Sequence, residues 1–344
     1  LSALLCFTIY NACAQQSTPG PVIKTDKGYI KGLHENGIDV FKGIPYAEPP
    51  VDGLRFRSPQ PHKEWADTLA ATKFGHVAKQ YTVKGIKGSE DCLTLNVYTP
   101  HADHSKRPVV VWVHGGSMTN GAGKDSDGHD FADRDSIVAV TINYRLGVFG
   151  FMYLDDVGKA YTSSGNNGLL DCIMALKWIK ENIARFGGDP ERVTVMGESA
   201  GAKLLAAVLV SPESKGLFQQ YISESGSVQC IRDINTAKFA RLRILKQLHL
   251  TKNNAEALLT MPADSLMKAQ GKVCEGIGGN SFFGPVYDGH VIIGDAYQTA
   301  VNKKIPPIKA LMGTNRDEGR LFIATDAHLR HIDKTVLKSL FGNN

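Results

Sequence analysis

One stretch restricts the fold more than any other: VTVMGESAGAKLLAAVLV, residues 193–210. Its first half is a short β-branched run and its second half is a run of good helix formers, with only Gly197-Glu198-Ser199-Ala200-Gly201 between them. A strand delivered straight into a helix needs a very tight turn. In a G-x-S-x-G turn of this kind the serine takes a strained backbone, only small residues fit around it, and the serine oxygen is left standing above the sheet. The chain must therefore contain a sheet whose strands point at helix starts, and Ser199 is its first candidate for chemistry.

The rest of the chain repeats the theme. PVVVWVHGG (108–116) is a continuous apolar run closing on glycines, which reads as a strand buried on both faces, and SIVAVTINYRLG (136–147) is of the same type. GLLDCIMALKWIKENIARFGG (168–188) shows a broad helical face and stops at Gly187 and Gly188 before Pro190. Further strands are expected in GYIKGL, VFKGIPYA, CLTLNVYTP, QQYISES, FGPVYDGHVII and IKALMGT, and helices in TAKFARLRILKQL, NAEALLTM and GDAYQTAVNKK. Strands alternating with helices predict an α/β fold with a mainly parallel sheet covered on both faces. No linker, repeat or charge block interrupts it, so residues 15–344 are read as one domain. At 42% hydrophobic and 21% charged residues the chain can bury a large core, and a net charge of +5 with scattered lysines and arginines asks for neither nucleic acid nor an anionic membrane.

Residues 1–14, LSALLCFTIYNACA, are apolar but too short to span a bilayer, and Ala12, Cys13 and Ala14 precede Gln15 as a small-x-small cleavage site would. They are expected to be the rear of a secretory signal peptide whose start is missing, which makes the protein exported; a lipoprotein anchor at Cys13 is the rival reading. In an oxidising compartment Cys230 and Cys274 are candidates for a disulfide, whereas Cys172 reads as a small buried hydrophobe. No cysteine or histidine spacing implies a metal, and no cofactor is implied.

Acyl transfer needs amide donors as well as a nucleophile, and His114-Gly115-Gly116-Ser117 follows its strand as an oxyanion loop would. The candidate donors are the amides of Gly116, Ser117 and Ala200.

Several longer segments now carry a specific resemblance. FKGIPYAEPPVDGLRFRSPQP, EDCLTLNVYTP, NYRLGVFGF, GNNGLLDCIMALKWIKENI and FGGDPERVTVMGESAG, in that order, resemble the type-B carboxylesterase and cholinesterase family, covering about Val22 to Phe322. The resemblance implies an α/β-hydrolase fold and hydrolysis of small carboxylic esters by a Ser-Glu-His triad. It points to Glu318, in Asn315-Arg316-Asp317-Glu318-Gly319, as the triad acid, and a carboxylate after a sheet strand is where an orienting group belongs. It also implies that Glu198 and Ser225 stand near the histidine, and that Arg55 with Glu90 and Arg145 with Asp171 are structural ion pairs. Ala78 occupies the place of the family's first disulfide partner to Cys92, so that bridge is expected to be absent. The short loop from Ala78 to Glu90 lacks the tryptophan by which cholinesterases hold a quaternary ammonium, and Met118 replaces the usual aromatic, which implies a more adaptable acyl-pocket wall.

In this fold the triad histidine follows the acid by a further strand. After Glu318 there remain 26 residues that read as helix, with His328 and His331 the only histidines. The expectation is that neither is the base, that the sequence is truncated and the sheet incomplete at its C-terminal end, and that the polypeptide as written is poorly soluble and nearly inactive. Two other functions remain in view: a non-catalytic binding or adhesion relative, which would need neither Ser199, the glycine loop nor Glu318, and a thioesterase or peptidase on the same site. Oligomeric state is not legible here.

Overall fold

The structure is a computed structural model that describes residues 17–275, 282–302, 305, 307–325 and 334. The expected leader, Cys13, His328 and His331 lie outside the described residues. Among the described residues twelve strands follow one another: β1 (Ser17–Lys24), β2 (Tyr29–Glu35), β3 (Ile38–Pro45), β4 (Leu69–Ala70), β5 (Gln80–Thr82), β6 (Gly85–Lys87), β7 (Thr94–Thr99), β8 (Arg107–Val113), β9 (Val138–Ile142), β10 (Gly188–Glu198), β11 (Gln220–Glu224) and β12 (Lys309–Gly313). The helices are α1 (His129–Asp133), α2 (Gly147–Phe151), α3 (Asn167–Asn182), α4 (Ala200–Val210), α5 (Ile234–Gln247), α6 (Ala263–Cys274), α7 (Ala296–Val301) and α8 (Arg320–Thr325). No described helix is long and apolar enough to cross a membrane.

One sheet dominates, in the order β1-β2-β3-β7-β9-β8-β10-β11-β12. It is mixed. From β9 onward the neighbours are parallel, while β1, β2, β3, β7 and β9 pair antiparallel along the first half. The division follows the connections, because a hairpin returns the chain antiparallel and only a helical crossover brings it back parallel. No described α-helix interrupts residues 17–99, and β2 turns into β3 through Asn36 (φ 49°) and Gly37 (φ 88°), a pair suited to a tight hairpin.

Alternation along β8 divides the interior. Val109, Val111 and Val113 enter the large core beneath α3 and α4, whereas Val110 joins Val40, Tyr98, Ala132 and Ala139 on the side of α1. Helix α3 runs into a 3-10 turn that ends on Gly187 (φ 81°), a left-handed stop which L residues adopt at a cost. At the other end of the sheet β12 is exposed along its whole length, with Leu311 67% and Met312 58% accessible.

Two expected elements differ. FGPVYDGHVII forms no strand; Arg232 and Val286 make an isolated bridge, and the segment is held by side chains. Asn166 pairs with both the N–H and the C=O of Val286 at 2.9 Å, and Asp288 Oδ1 accepts from the amides of His290, Val291 and Ile292. NAEALLTM is not an α-helix: its first six residues lie in a 3-10 helix, Lys252–Leu259, started by reciprocal bonds between Thr251 and Asn254, and Thr260 and Met261 fall beyond its end. Cys230 and Cys274 are not bonded to each other: both thiols are free and half-buried, as Cys92 and Cys172 are free and buried.

Candidate active site

The strand-to-helix junction is as tight as the glycines around it demand. Ser199 has φ 49° and ψ −116°, outside the regions that a serine adopts comfortably. A Cβ on Gly197 would stand 2.8 Å from Gly201 C, and one on Gly201 would stand 2.0 Å from Val113 O, so β8, β10 and α4 meet at contact distance only because both are glycine. The strained residue is pinned from two sides. Its N–H donates to Glu224 O across the sheet at 2.8 Å, and its carbonyl accepts from Lys203 N in the first turn of α4 at 2.9 Å. Ser199 Oγ has no hydrogen-bond partner among the described residues.

The loop after β8 comes up against this turn. A Cβ on Gly115 would be 2.7 Å from Glu198 Oε2 and 3.5 Å from Ser199 Cβ. Gly116 (φ 99°), Ser117 (φ 55°) and Met118 (φ 58°) all have left-handed backbones, closed by bonds of 3.0 Å from the amides of Thr119 and Asn120 to Gly116 O. Among the described residues the amides of Gly116, Ser117 and Ala200 donate to no protein acceptor. The Met118 side chain is 2% exposed and packed into the core, and its carbonyl accepts from Gly147 N at 2.7 Å.

His114 anchors the loop from below. Its ring stacks on Tyr144 at 4.5 Å between centroids, while the Tyr144 hydroxyl donates to His114 O at 2.9 Å. Nδ1 stands 2.8 Å from Gly115 O, and since a carbonyl only accepts, Nδ1 carries the proton of the neutral ring. Burial pushes the imidazole pKa down to about 4, and its buried Nε2 has no partner among the described residues.

Glu318 follows β12 in an exposed turn. Its Oε1 accepts from Ser225 Oγ and, at 2.7 Å, from Asn315 N. These two donors hold the carboxyl below its ordinary range. Ser225 (φ 59°) is itself fixed by its N–H to Gly313 O at 2.8 Å. Glu198 behaves in the opposite way: partial burial, then the nearby Glu224 and Glu318, raise its pKa, and Lys203 opposes them. Among the described residues no group of three or more His, Cys, Asp or Glu could hold a metal ion.

Two ion pairs fix the scaffold below. Arg145 Nε and Nη2 donate to Asp171 at 2.8 and 2.7 Å, both side chains almost fully buried, and Arg145 Nη1 reaches Arg57 O at 2.7 Å. Arg55 clamps Glu90 at 2.6 and 2.5 Å and donates to Met261 O at 2.6 Å, tying the segment after β3 to the start of α6.

The profile of the Carboxylesterase family matches residues 19–342. The chain belongs to the carboxylesterase family. Among curated relatives, the Para-nitrobenzyl esterase of Bacillus subtilis (strain 168) is 39% identical over 93% of this chain and 68% of its own length, and the Phenmedipham hydrolase of Pseudarthrobacter oxydans is 34% identical over 93% and 66%. A solved carboxylesterase of Geobacillus stearothermophilus superposes with a TM-score of 0.86 at 40% identity, over 92% of this chain and 66% of that one. The chain thus spans about two thirds of the length of these relatives. The fold is the α/β-hydrolase fold of its solved relatives.

The geometry brings Ser199, Glu198, the glycine loop, Ser225 and Glu318 to one end of the sheet, over the C-terminal ends of β8, β10, β11 and β12. Glu224 was missed in the sequence. The signal available was its place as the last residue of a strand beside the G-x-S-x-G strand, which needs the strand order to be read.

Proposed function

We propose that the protein hydrolyses small carboxylic esters through a serine acyl-enzyme. Ser199 Oγ attacks the acyl carbon, its proton passes to a histidine and then to the leaving alcohol, and water repeats the sequence to release the acid. The amides of Gly116, Ser117 and Ala200 receive the developing oxyanion, each worth about 3 kcal/mol of barrier by the usual measure of one such donor. Glu318 orients the histidine and supports its charge, and Ser225 keeps that carboxylate ionised.

The observation that carries the proposal is the junction itself: a serine in a strained backbone with its Oγ unengaged, in a turn packed against the glycine loop, and the amides of Gly116, Ser117 and Ala200 donating to no protein acceptor among the described residues. Strain of this kind is retained where it positions a group. Among the described residues no histidine is hydrogen-bonded to Ser199 or Glu318; His114 is turned to Gly115 O and Tyr144, and His328 and His331 lie outside the described residues. A polypeptide lacking the base would keep only the oxyanion hole and binding, about 10³ to 10⁴ over water.

The test is pre-steady-state hydrolysis of a p-nitrophenyl ester by the full-length protein. A stoichiometric burst of p-nitrophenol that disappears in Ser199→Ala supports the mechanism. A burst that survives in the alanine variant overturns it, and turnover of the matching thioester or anilide at a higher kcat/KM would move the assignment to a thioesterase or peptidase.

A further inference from the structure

The glycine loop after β8 leaves its strand through Gly115 and Gly116. Two successive glycines carry the greatest backbone freedom a chain can have, so this leg alone does not fix where the amides of Gly116 and Ser117 point. The loop is instead closed on itself. The amides of Thr119 and Asn120 both donate to Gly116 O at 3.0 Å, and a Cβ on Gly116 would stand 2.2 Å from Asn120 O. Gly116 therefore moves with Asn120, and Asn120 is joined to Gly121.

Gly121 is where the loop is fastened. Its N–H donates to Gln80 Oε1 at 3.1 Å, and its C=O accepts from Gln80 Nε2 at 3.0 Å. Neither backbone group has another partner among the described residues. Nε2 also donates to Ala78 O at 3.0 Å, and the Gln80 residue is 1% exposed. A primary amide suits this contact because it offers one acceptor and two donors together, matching the N–H and the C=O of Gly121 at once. Gly121 (φ 108°) is also pressed against the start of the loop, since a Cβ there would be 2.5 Å from His114 Nδ1. Gln80 has its own footing. It opens β5, which pairs with β6, and next to it Lys79 N donates to Ser89 O at 2.9 Å while Lys79 Nζ reaches Asp264, at the start of α6, at 2.8 Å.

We infer that Gln80 is a positioning residue of the oxyanion hole: its buried amide, bonded to both backbone groups of Gly121, fixes the loop that carries the Gly116 and Ser117 amides. The inference rests on the Ser199 reading above. Its consequence is selective. Donors of the hole are aimed at charge that develops only in the transition state, so losing their aim slows acylation and leaves binding of the ester nearly untouched.

The experiment is burst kinetics with p-nitrophenyl acetate on the full-length wild type, Gln80→Met, Gln80→Glu and Val83→Ala. Each is normalised to the active sites that the burst titrates, so a variant that folds only in part is still read. The concentration dependence of the burst separates the acylation rate from the dissociation constant of the ester. Inhibition by an aryl trifluoromethyl ketone reads the hole itself: as Ser199 Oγ bonds to the carbonyl carbon, the π pair moves to oxygen and puts an oxyanion there. Gln80→Met keeps the side chain's length and removes all three bonds. It is expected to lower the acylation rate and the ketone's affinity by the same factor, about 10- to 100-fold, with the ester's dissociation constant within about twofold of wild type. Gln80→Glu loses at least as much, since its carboxylate faces the carbonyls of Ala78 and Gly121, and Val83→Ala, at the fully exposed tip of the same hairpin, behaves as wild type. Unchanged acylation in both Gln80 variants, an equal loss in ester binding, slower acylation with the ketone's affinity retained, or the same loss in Val83→Ala overturns the inference while leaving Ser199 as nucleophile. A wild-type protein without a burst overturns the Ser199 reading, and this one with it.

Discussion

Gly201→Ala is the most exacting substitution at the elbow, because it adds one methyl group where two backbones touch. The new Cβ would lie 2.0 Å from Val113 O and 2.8 Å from His114 O, where real contacts stay beyond 3.0 Å. Backbone atoms on both sides leave no flexible side chain to give way, so the start of α4 must separate from the end of β8 by at least about 1 Å, the difference between 3.0 and 2.0 Å. That movement parts Ala200 from Gly116 and Ser117, the two sides of the proposed oxyanion hole. Overpacking of this kind costs about 1–3 kcal/mol of stability. A 1 Å displacement of a reacting group costs about 100-fold in rate. Urea unfolding and p-nitrophenyl ester hydrolysis by the full-length variant measure both. A Gly201→Ala protein with kcat within twofold of wild type would refute the claim that this contact sets the site.

Asp171→Asn leaves the buried Arg145 guanidinium without its counter-charge and should cost about 3–5 kcal/mol in urea unfolding, whereas an exposed change such as Asp130→Asn should be nearly silent. His114 titrates near 6.5 when exposed and at about 4 in the fold, so unfolding takes up its proton first; the stability present above pH 6.5 is lost as pH falls toward 4, by up to about 3 kcal/mol. His114→Gln should flatten that part of the stability curve, and an unchanged slope would show that the ring is not buried neutral.

The parts of this protein that were legible in its sequence are those fixed by neighbours in the chain. The run VTVMGES followed by AGAKLL specifies a strand, a turn and a helix locally, and the glycines of the loop after β8 announce left-handed backbone. The parallel half of the sheet followed because its strands are separated by helices. Its antiparallel half was underestimated, since hairpin-connected strands such as β2 and β3 look the same as buried parallel ones in a hydrophobicity pattern. FGPVYDGHVII was misread for a similar reason: it alternates like a strand, but Asn166, 120 residues away, supplies the bonds that a strand partner would have made. A possible Cys230 to Cys274 bridge was equally beyond reach, because pairing depends on a distance that spacing does not encode. Glu224 shows the same limit at the site, for its neighbour Glu198 is 26 residues away and is identified only by register.

The claim on which the account depends is that Ser199 becomes acylated. Acid-quenching the full-length protein during turnover of p-nitrophenyl acetate, followed by intact-mass measurement and peptide mapping, tests it directly. One acetyl group per chain is expected, located on Ser199 in the peptide containing Gly197 to Gly201, and none in Ser199→Ala. An acetyl group on another residue during active turnover, or steady hydrolysis by Ser199→Ala at the wild-type rate, would contradict it.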